Sequence, residues 1–362
     1  MYIKLFTCCA VVEGAGRASI IDIQREEIFF IPLSLSGLID KEIYAINILQ
    51  IKERLDESSI PVLDEYIAFL IDNELGFYCD EDELSLFPKM SEEYLYPATI
   101  SNCIIDSNGD NLKFFDSSFF SQLEILCCNH IQLRLFTTID FNSLDVFLNL
   151  INNNQIKSLE IIIPANEYLM EENNVIHILE NNRKLRALII TSSDYNKVLD
   201  ADEFSGTAIL TGEKISDNLH CGIVQLNQFS INVSHYTESL HYNSCLNRKM
   251  GIDVDGNIKN CPSMKESFGN VTHTTLVEAF EKPGFKKYWN ITKDHIDKCR
   301  DCEFRHVCTD CRAYTDDPGN PYSAPLKCGY DPYSCIWEEW SANPLKKKGI
   351  LYYGMQDLAS IV

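Results

Sequence analysis

The chain has 362 residues, 45% of them hydrophobic, which is typical of a folded protein with two or three domains. Its net charge of −22 lies entirely within residues 1–240, and so acidic a surface argues against nucleic acid as a partner. The chain has no run of eighteen apolar residues and begins with no export signal. We therefore expect a soluble cytoplasmic protein that does not bind a membrane.

The first 90 residues change from a strand pattern to a helical one. Short runs of β-branched and aromatic residues predict three strands before Pro32. Apolar residues at three-to-four spacing then predict three helices, the last between Pro61 and Gly76. Three strands followed by three helices predict a winged-helix-like domain over residues 1–90.

Strand-like and helical segments alternate from about residue 97 onward. This rhythm indicates an α/β fold over residues 91–240, with a parallel sheet that forms a layer or a partial barrel. Ligands of such folds bind at the carboxyl ends of the strands. We therefore expect a site in the loops that follow Ile105, Phe136 and Ile163.

Residues 241–362 form a third region, rich in cysteine and turn residues. Eight of the fifteen cysteines lie between Cys245 and Cys335. Such a region buries little apolar area, so we expect a bound metal to stabilise it. The other seven cysteines lie among apolar residues and are predicted to be core residues: Cys8, Cys9, Cys79, Cys103, Cys127, Cys128 and Cys221.

Two cysteine patterns point to metal binding. In the first, Asp255-Gly256 predicts a tight hairpin turn that brings Cys245 toward Cys261. The second is dense and consists of Cys299, Cys302, Cys308, Cys311, Cys328 and Cys335. Cysteines two residues apart can present both sulfurs to one metal centre, and seven or eight thiolates suffice for two four-ligand centres. Zinc is the alternative to iron–sulfur clusters, because two such pairs also make a structural zinc site.

The order of these cysteines around Gly256 resembles the SPASM domain, an extension of radical SAM peptide-maturing enzymes that holds auxiliary [4Fe-4S] clusters. The resemblance implies two [4Fe-4S] clusters. One would be held by Cys299, Cys302, Cys308 and Cys328, and the other by Cys245, Cys261 and Cys311. The second cluster then lacks one ligand, and the alternatives for that position are His241, Cys335 or an open iron.

The rest of the chain resembles SPASM-domain peptide maturases of grasp-with-spasm gene systems. The similar stretches are KLFTCCAVVEGAGRASIIDIQREEIFFIP, FP…PATISNCIID and HYNSCLN…CEFRHVCTDCRAYTDDP. This resemblance implies that the protein acts on a ribosomally made precursor peptide together with an ATP-grasp ligase. The chain has no phosphate-binding loop, so we expect the partner to supply ATP-dependent ligation.

Radical SAM enzymes carry Cys-x3-Cys-x2-Cys in the loop after the first barrel strand. The corresponding loop here, DSNGDNLKFFD, contains no cysteine, and IQLRLFTTID stands where relatives have a glycine-rich stretch. The resemblance therefore implies a degenerate barrel of radical SAM type over residues 91–240, followed by a SPASM domain over residues 241–362. We expect no binding or cleavage of S-adenosylmethionine.

The amino-terminal domain resembles the peptide-recognition modules of ribosomal peptide biosynthesis, which capture a leader peptide as an added strand. An exposed strand edge supplies main-chain hydrogen bonds, and the adjacent helix supplies pockets. The residues expected to contact the leader are Glu27, Ile28, Phe29, Phe30, Ile31, Val62 and Tyr66. A winged-helix unit without a ligand is the alternative, since fold does not imply function.

Three functions are therefore consistent with the sequence. The first is an iron–sulfur maturation protein that binds the leader and supports a partner ligase. The second is an enzyme that modifies the peptide itself at an open iron of the cluster held by Cys245, Cys261 and Cys311. The third is a zinc-stabilised scaffold. No catalytic residue is predicted.

Overall fold

The computed structural model describes residues 1–202 and 206–360. Its amino-terminal part contains two three-stranded antiparallel sheets. The elements are β1 (Tyr2–Leu5), β2 (Cys9–Glu13), β3 (Ala18–Asp22), β4 (Glu27–Ile31), α1 (Leu33–Ser36), β5 (Ala45–Asn47), α2 (Ile48–Lys52), α3 (Ile60–Asp72) and β6 (Gly76–Cys79). Strand β1 pairs with β5 and β6, whereas β2, β3 and β4 form a meander.

Four strands precede the first helix, where the sequence predicted three. The first predicted strand is divided by a turn at Thr7 and Cys8, closed by a hydrogen bond from the backbone N–H of Cys9 to the backbone oxygen of Phe6 (2.9 Å). Strand β4 forms one edge of the meander sheet, and its Phe29 ring contacts Phe69 of α3 edge-on. The meander therefore presents an edge strand beside a helix.

The central part is an α/β sheet of eight strands in the order β11-β12-β10-β9-β8-β7-β13-β14. Its elements are β7 (Asn102–Ser107), α4 (Ser117–Ile125), β8 (His130–Leu135), α5 (Phe141–Asn152), β9 (Ser158–Pro164), α6 (Glu172–Asn181), β10 (Leu185–Thr191), β11 (Lys197–Asp200), β12 (Thr207–Leu210), α7 (Val233–His241), β13 (Lys249–Ile252) and β14 (Ile258–Lys259). Every neighbouring pair is parallel except the outermost pair at each edge.

The two faces of this sheet differ because side chains alternate along each strand. One face is fully buried under α4, α5 and α6 and includes Ile105, Leu133 and Ile161. The opposite face carries polar side chains that reach solvent, among them Gln132 and Glu160. The strands therefore bury one face against helices and leave the other open toward the cysteine-rich region.

The sheet continues past residue 240, where the sequence predicted a domain boundary. Strand β13 pairs in parallel with β7, with Lys249 opposite Asn102. Few regular elements follow: α8 (Leu276–Glu281), β15 (Tyr330–Asp331), β16 (Ile336–Trp337), α9 (Lys347–Tyr353) and α10 (Gln356–Ser360). Among the described residues, no helix has the length and apolar character needed to span a bilayer.

The amino-terminal part packs against the cysteine-rich region through polar contacts. Arg17 Nε lies 2.6 Å from Oε1 of the fully buried Glu303, and Ser19 Oγ donates to the backbone oxygen of Glu303 at 2.9 Å. Arg305 Nη1 donates to the backbone oxygen of Glu13 at 2.6 Å. These contacts connect the meander to the segment that contains Cys302.

Candidate metal centres in the cysteine-rich region

A cavity of about 480 Å³ lies at the amino ends of β7, β8 and β9. Four cysteines line it: Cys221, Cys245, Cys261 and Cys311. We call these four residues the cavity set. Because β13 runs parallel to β7, the residues just before β13 lie at the amino ends of the strands, which places Cys245 there.

The predicted hairpin returns Cys261 to the same cavity. Gly256 has a φ of +79°, and its backbone N–H donates to the backbone oxygen of Asp253 at 2.9 Å, which closes the turn between β13 and β14. Asn260 donates from Nδ2 to the backbone oxygens of Leu246 (3.1 Å) and Lys249 (2.6 Å). These bonds hold the end of the hairpin beside its beginning.

The thiols of the cavity set lie close enough to influence one another. Burial raises the pKa of Cys261 to about 11, with further increases from the Cys221 and Cys245 thiolates. Burial also raises the pKa of Cys311, and the thiolates of the other three cavity cysteines add to this shift. Lys249 supplies positive charge, since its Nζ lies 3.5 Å from the sulfur of Cys245.

A second group consists of Cys299, Cys302, Cys308 and Cys328, which we call the core set. Cys308 is buried and Cys302 and Cys328 are partly buried in one apolar cluster with Phe304 and Tyr330, while Cys299 begins a 3-10 helical turn. Burial raises the pKa of Cys299 to about 12, an effect that Lys293 opposes and Cys328 strengthens. Burial and the Cys299 and Cys308 thiolates likewise raise the pKa of Cys302. The four predicted ligands of one cluster therefore lie together.

Lys293 supplies positive charge to the core set. Its side chain is 5% exposed, and its Nζ donates to the Cys308 sulfur at 3.1 Å and to the backbone oxygen of Thr309 at 3.3 Å. Each of the two cysteine groups thus has one lysine whose ammonium group donates to one of its sulfurs.

A buried ion pair lies between the two groups. Arg312 lines the cavity, and its Nη2 donates to Oδ1 of Asp310 at 2.6 Å. Burial opposes the charge of Arg312, but Asp310, Cys299 and Cys311 together raise its pKa. Its Nε is buried and has no hydrogen-bond partner. A buried N–H without an acceptor is costly, so this atom is an exception among the buried polar groups of the region.

The spacing of the thiols bears on the choice between zinc and an iron–sulfur cluster. Four thiolates on one zinc ion lie ~3.8 Å apart, because each Zn–S bond is about 2.3 Å long. Within residues 1–202 and 206–360, Cys8, Cys9 and Asp22 are the only three potential ligands whose atoms all lie within 4.8 Å of one another. Both groups are therefore wider than a single-ion site. A four-iron cluster holds its thiolates farther apart than one zinc ion does, because each thiolate binds a different iron.

Two residues predicted as alternative ligands lie elsewhere. His241 is exposed, and its Nε2 donates to the backbone oxygen of Glu92 at 2.8 Å. Cys335 lies against Gly16, with its sulfur 3.8 Å from the backbone oxygen of Pro332. Neither residue lines the cavity, since His241 contacts the amino-terminal half and Cys335 packs in the apolar cluster that contains Cys302, Cys308 and Cys328.

The sequence prediction placed Cys127 and Cys221 in the core, and the structure corrects both, since Cys127 is exposed. Cys221 is only partly buried and belongs to the lining of the cavity. It lies in an irregular segment after β12, and the glycine that follows it is the one sequence signal that distinguishes it from the core cysteines. The sequence also predicted a site in the loops after β7 and β8. These loops lie at the opposite ends of the strands, where they line a separate cavity of about 610 Å³.

The residues expected to bind a leader lie along one edge of the meander and on α3. Phe29 and Ile31 face the apolar cluster that contains Leu63 and Ile67 of α3, whereas Ile28 and Phe30 face the cysteine-rich region. Glu27 is exposed at the start of β4. On α3, Val62 is exposed, and the Tyr66 hydroxyl lies 2.6 Å from Ser34 Oγ. The structure therefore divides the residues of β4 between the two faces of the meander, and Tyr66 of α3 packs on the face that carries Phe29 and Ile31.

Comparison with protein-family models identifies one match. Residues 244–303 match the SPASM iron–sulfur cluster-binding domain, a segment that includes Cys245, Cys261, Cys299 and Cys302. No match was found among curated protein sequences. The carboxyl-terminal region therefore contains a SPASM domain, a type of domain that binds iron–sulfur clusters.

Proposed function

We propose that the protein is an iron–sulfur protein of ribosomal peptide maturation, which binds the leader of a precursor peptide and supports modification by a partner ATP-grasp ligase. It holds two [4Fe-4S] clusters and does not cleave S-adenosylmethionine. The observation that carries the proposal is the presence of two separate cysteine groups, each with a lysine donating to one of its sulfurs.

The thiol groups and their lysines fit anionic clusters. When bound, an iron–sulfur cluster carries single electrons and links distant segments of the chain. Thiolate ligands add negative charge, and buried charge is costly unless it is paired. Positive charge beside the thiols is supplied by Lys249, Lys293 and Arg312.

Cluster binding by the two cysteine groups would also stabilise the fold of the cysteine-rich region. Cys299 and Cys328 are separated by 28 residues that contain little regular structure, and ligation to one centre would tie these segments together. A role as a structural brace is therefore part of the proposed function, whether or not the clusters change oxidation state.

The edge of β4 supports leader binding. Within the described chain, no strand pairs with the outer edge of β4, so its main-chain groups are available to an extended peptide. The exposed Val62 on the neighbouring helix offers apolar contact. Phe30 of this strand contacts Phe304 with ring centroids 5.6 Å apart, so the leader site would adjoin the core set.

Two features support the absence of S-adenosylmethionine chemistry. The loop after β7 contributes no thiol, although this is where relatives bind their radical cluster. Near the carboxyl ends of β7 and β8, Arg134 and Asp106 form a buried ion pair with two hydrogen bonds, of 2.6 and 2.8 Å. These side chains are paired with each other and are unavailable to an amino acid-like ligand.

Metal analysis tests the cofactor. After anaerobic purification we expect about eight irons and a similar amount of sulfide per chain, as two four-iron clusters require. Zinc without sulfide would contradict the proposal. Incubation of the reduced protein with dithionite and S-adenosylmethionine should give no 5′-deoxyadenosine, and its appearance would show that the negative claim is wrong.

Leader binding is tested with the full chain and a labelled precursor peptide. We expect saturable binding that Val62→Asp weakens at least tenfold, because a charge replaces the apolar contact beside the strand edge. Val146→Asp is the matched control, since Val146 is also exposed on a helix but lies on α5, away from the meander. Equal binding by the two variants would place the leader elsewhere.

A further inference from the structure

We infer that Cys221 is the fourth protein ligand of the cluster held by Cys245, Cys261 and Cys311, so that this cluster is closed to external ligands. The inference rests on the proposed function, because it assumes that a cluster is bound at the cavity. It assigns a role to a residue outside the segment that matches the SPASM domain.

The first argument is position. Cys221 and the other three cysteines of the cavity set line one cavity of about 480 Å³. A four-iron cluster with four cysteine ligands needs thiols on different sides of one space, and the four cysteines come from three separate chain segments: the segment after β12, the β13–β14 hairpin and the dense cysteine motif.

The second argument is the close approach of the backbone. Gly222 has a φ of +83°, and a Cβ at this position would lie 2.9 Å from the Cys311 sulfur and 3.5 Å from its Cβ. Only glycine adopts this backbone conformation without strain while leaving room for Cys311. The glycine therefore allows the Cys221 segment to pass directly beside another ligand of the same cluster.

The third argument is that the segment around Cys221 is fixed in place. Lys327 donates from Nζ to the backbone oxygen of Cys221 at 2.9 Å, and Tyr314 donates from its hydroxyl to the backbone oxygen of Asn218, also at 2.9 Å. Val224 donates its backbone N–H to the backbone oxygen of Lys327 at 3.2 Å. Three bonds to the cysteine-rich region thus hold Cys221 at the cavity.

Other potential ligands in the cavity lining are less suitable. His130 is exposed and its Nδ1 lies 2.6 Å from Ser158 Oγ, while Glu160 is exposed and accepts a hydrogen bond from Gln132 at 3.0 Å. Both lie on the sheet rather than on the cysteine-rich side. Cys221 is the one remaining thiol of the lining, and thiolate is the usual protein ligand of these clusters.

The consequence concerns the role of the cluster. With four thiolates, each iron carries one protein ligand and none is left to bind a substrate group. The cluster at the cavity would then brace the chain or carry electrons. The peptide would be modified elsewhere, which agrees with a partner ligase performing the chemistry.

The test compares Cys221→Ser with Cys335→Ser, both anaerobically purified as full chains. Cys335 is the matched control because it is a partly buried cysteine outside the cavity. For Cys221→Ser we expect iron loss from the cavity cluster and an altered electron paramagnetic resonance spectrum after dithionite reduction, with the signal of the other cluster retained. Cys335→Ser should match the wild type in iron content and spectrum.

A second measurement uses only the wild-type protein and so does not depend on the folding of a variant. Added imidazole should leave the spectrum of the reduced wild type unchanged, because no iron is open. A wild-type spectrum that shifts with imidazole would overturn the inference, as would Cys221→Ser protein with the iron content and spectrum of the wild type. Wild-type protein without iron and sulfide would instead refute the proposed function itself.

Discussion

The Nζ atom of Lys293 donates a hydrogen bond to the Cys308 sulfur at 3.1 Å, within a site where the lysine is 5% exposed. A cation rarely occupies so buried a position without a partner of opposite charge. Burial raises the pKa of the Cys308 thiol, and the charge and hydrogen bond of Lys293 oppose this rise, so the lysine favours the thiolate, which is the form that binds a metal.

Replacing Lys293 should change the reduction potential of the iron–sulfur cluster that the core set would hold. In Lys293→Met we expect a lower reduction potential, because loss of a positive charge and of a hydrogen bond to sulfur destabilises the reduced, more negative cluster. The measurement is a redox titration followed by electron paramagnetic resonance. Lys282→Met is the control, since Lys282 is exposed. Equal reduction potentials in the two variants would show that Lys293 does not influence the cluster.

Replacing Gly222 should disturb the cavity set. Gly222→Ala is expected to destabilise the protein by about 3 kcal/mol, because an alanine combines an unfavourable positive φ with an overlap against Cys311. The control is Gly354→Ala, which has a φ of +70° but no atom within 4 Å of the new Cβ. Gly354→Ala should lower the free energy of unfolding by only about 1 kcal/mol. Chemical unfolding monitored by circular dichroism gives both values, and equal losses would show that the approach to Cys311 is unimportant.

Breaking the contact between the meander and the cysteine-rich region should destabilise the protein. Arg17→Met leaves the buried Glu303 carboxylate without its cation, and we expect a loss of about 3 kcal/mol. Adding Glu303→Gln in the same chain should restore part of this loss, because the neutral amide no longer needs a counter-charge. Urea unfolding of the two variants and the wild type measures the effect. A double variant less stable than Arg17→Met would argue against the pairing.

Acid should weaken the turn between β3 and β4. Burial raises the pKa of Asp22, but hydrogen bonds from the backbone and side chain of Arg25 and from the Gln24 backbone outweigh it and hold the pKa below its ordinary value. A carboxyl group with a lowered folded-state pKa stabilises the protein above its unfolded-state pKa of about 4, and this contribution disappears as the pH falls through the folded-state pKa.

The stability difference between wild type and Asp22→Asn should therefore be constant near neutral pH and shrink below about pH 4. Urea unfolding at a series of pH values measures this difference. Asp56→Asn is a useful comparison, because Asp56 is an exposed carboxyl in another turn. A difference for Asp22 that grows on acidification would contradict the assigned sign.

The sequence alone was sufficient to predict much of the central sheet. The alternation of strand-like and helical segments from about residue 97 predicted the parallel strands β7 through β10 with α4 through α6 between them, because each pattern follows from burial of one face. The hairpin at Gly256 could also be predicted from the sequence, since its turn requires a positive φ that glycine favours. The grouping of the core set, by contrast, came from the resemblance to the SPASM domain, because spacing alone does not connect Cys328 with the dense cysteine motif.

Only the tertiary structure decided which distant residues meet. No local pattern indicates that β13 pairs in parallel with β7, yet this pairing moves Cys245 and Cys261 to the amino ends of the strands, opposite to the expected site. Cys221 lies 24 residues before Cys245 in an irregular segment, so neither spacing nor periodicity connects it to the other thiols. The sequence determined the types of ligand and the local turns. The fold determined that Cys221 lines the same cavity as the other three thiols, because long-range pairing is set by the packing of the whole chain.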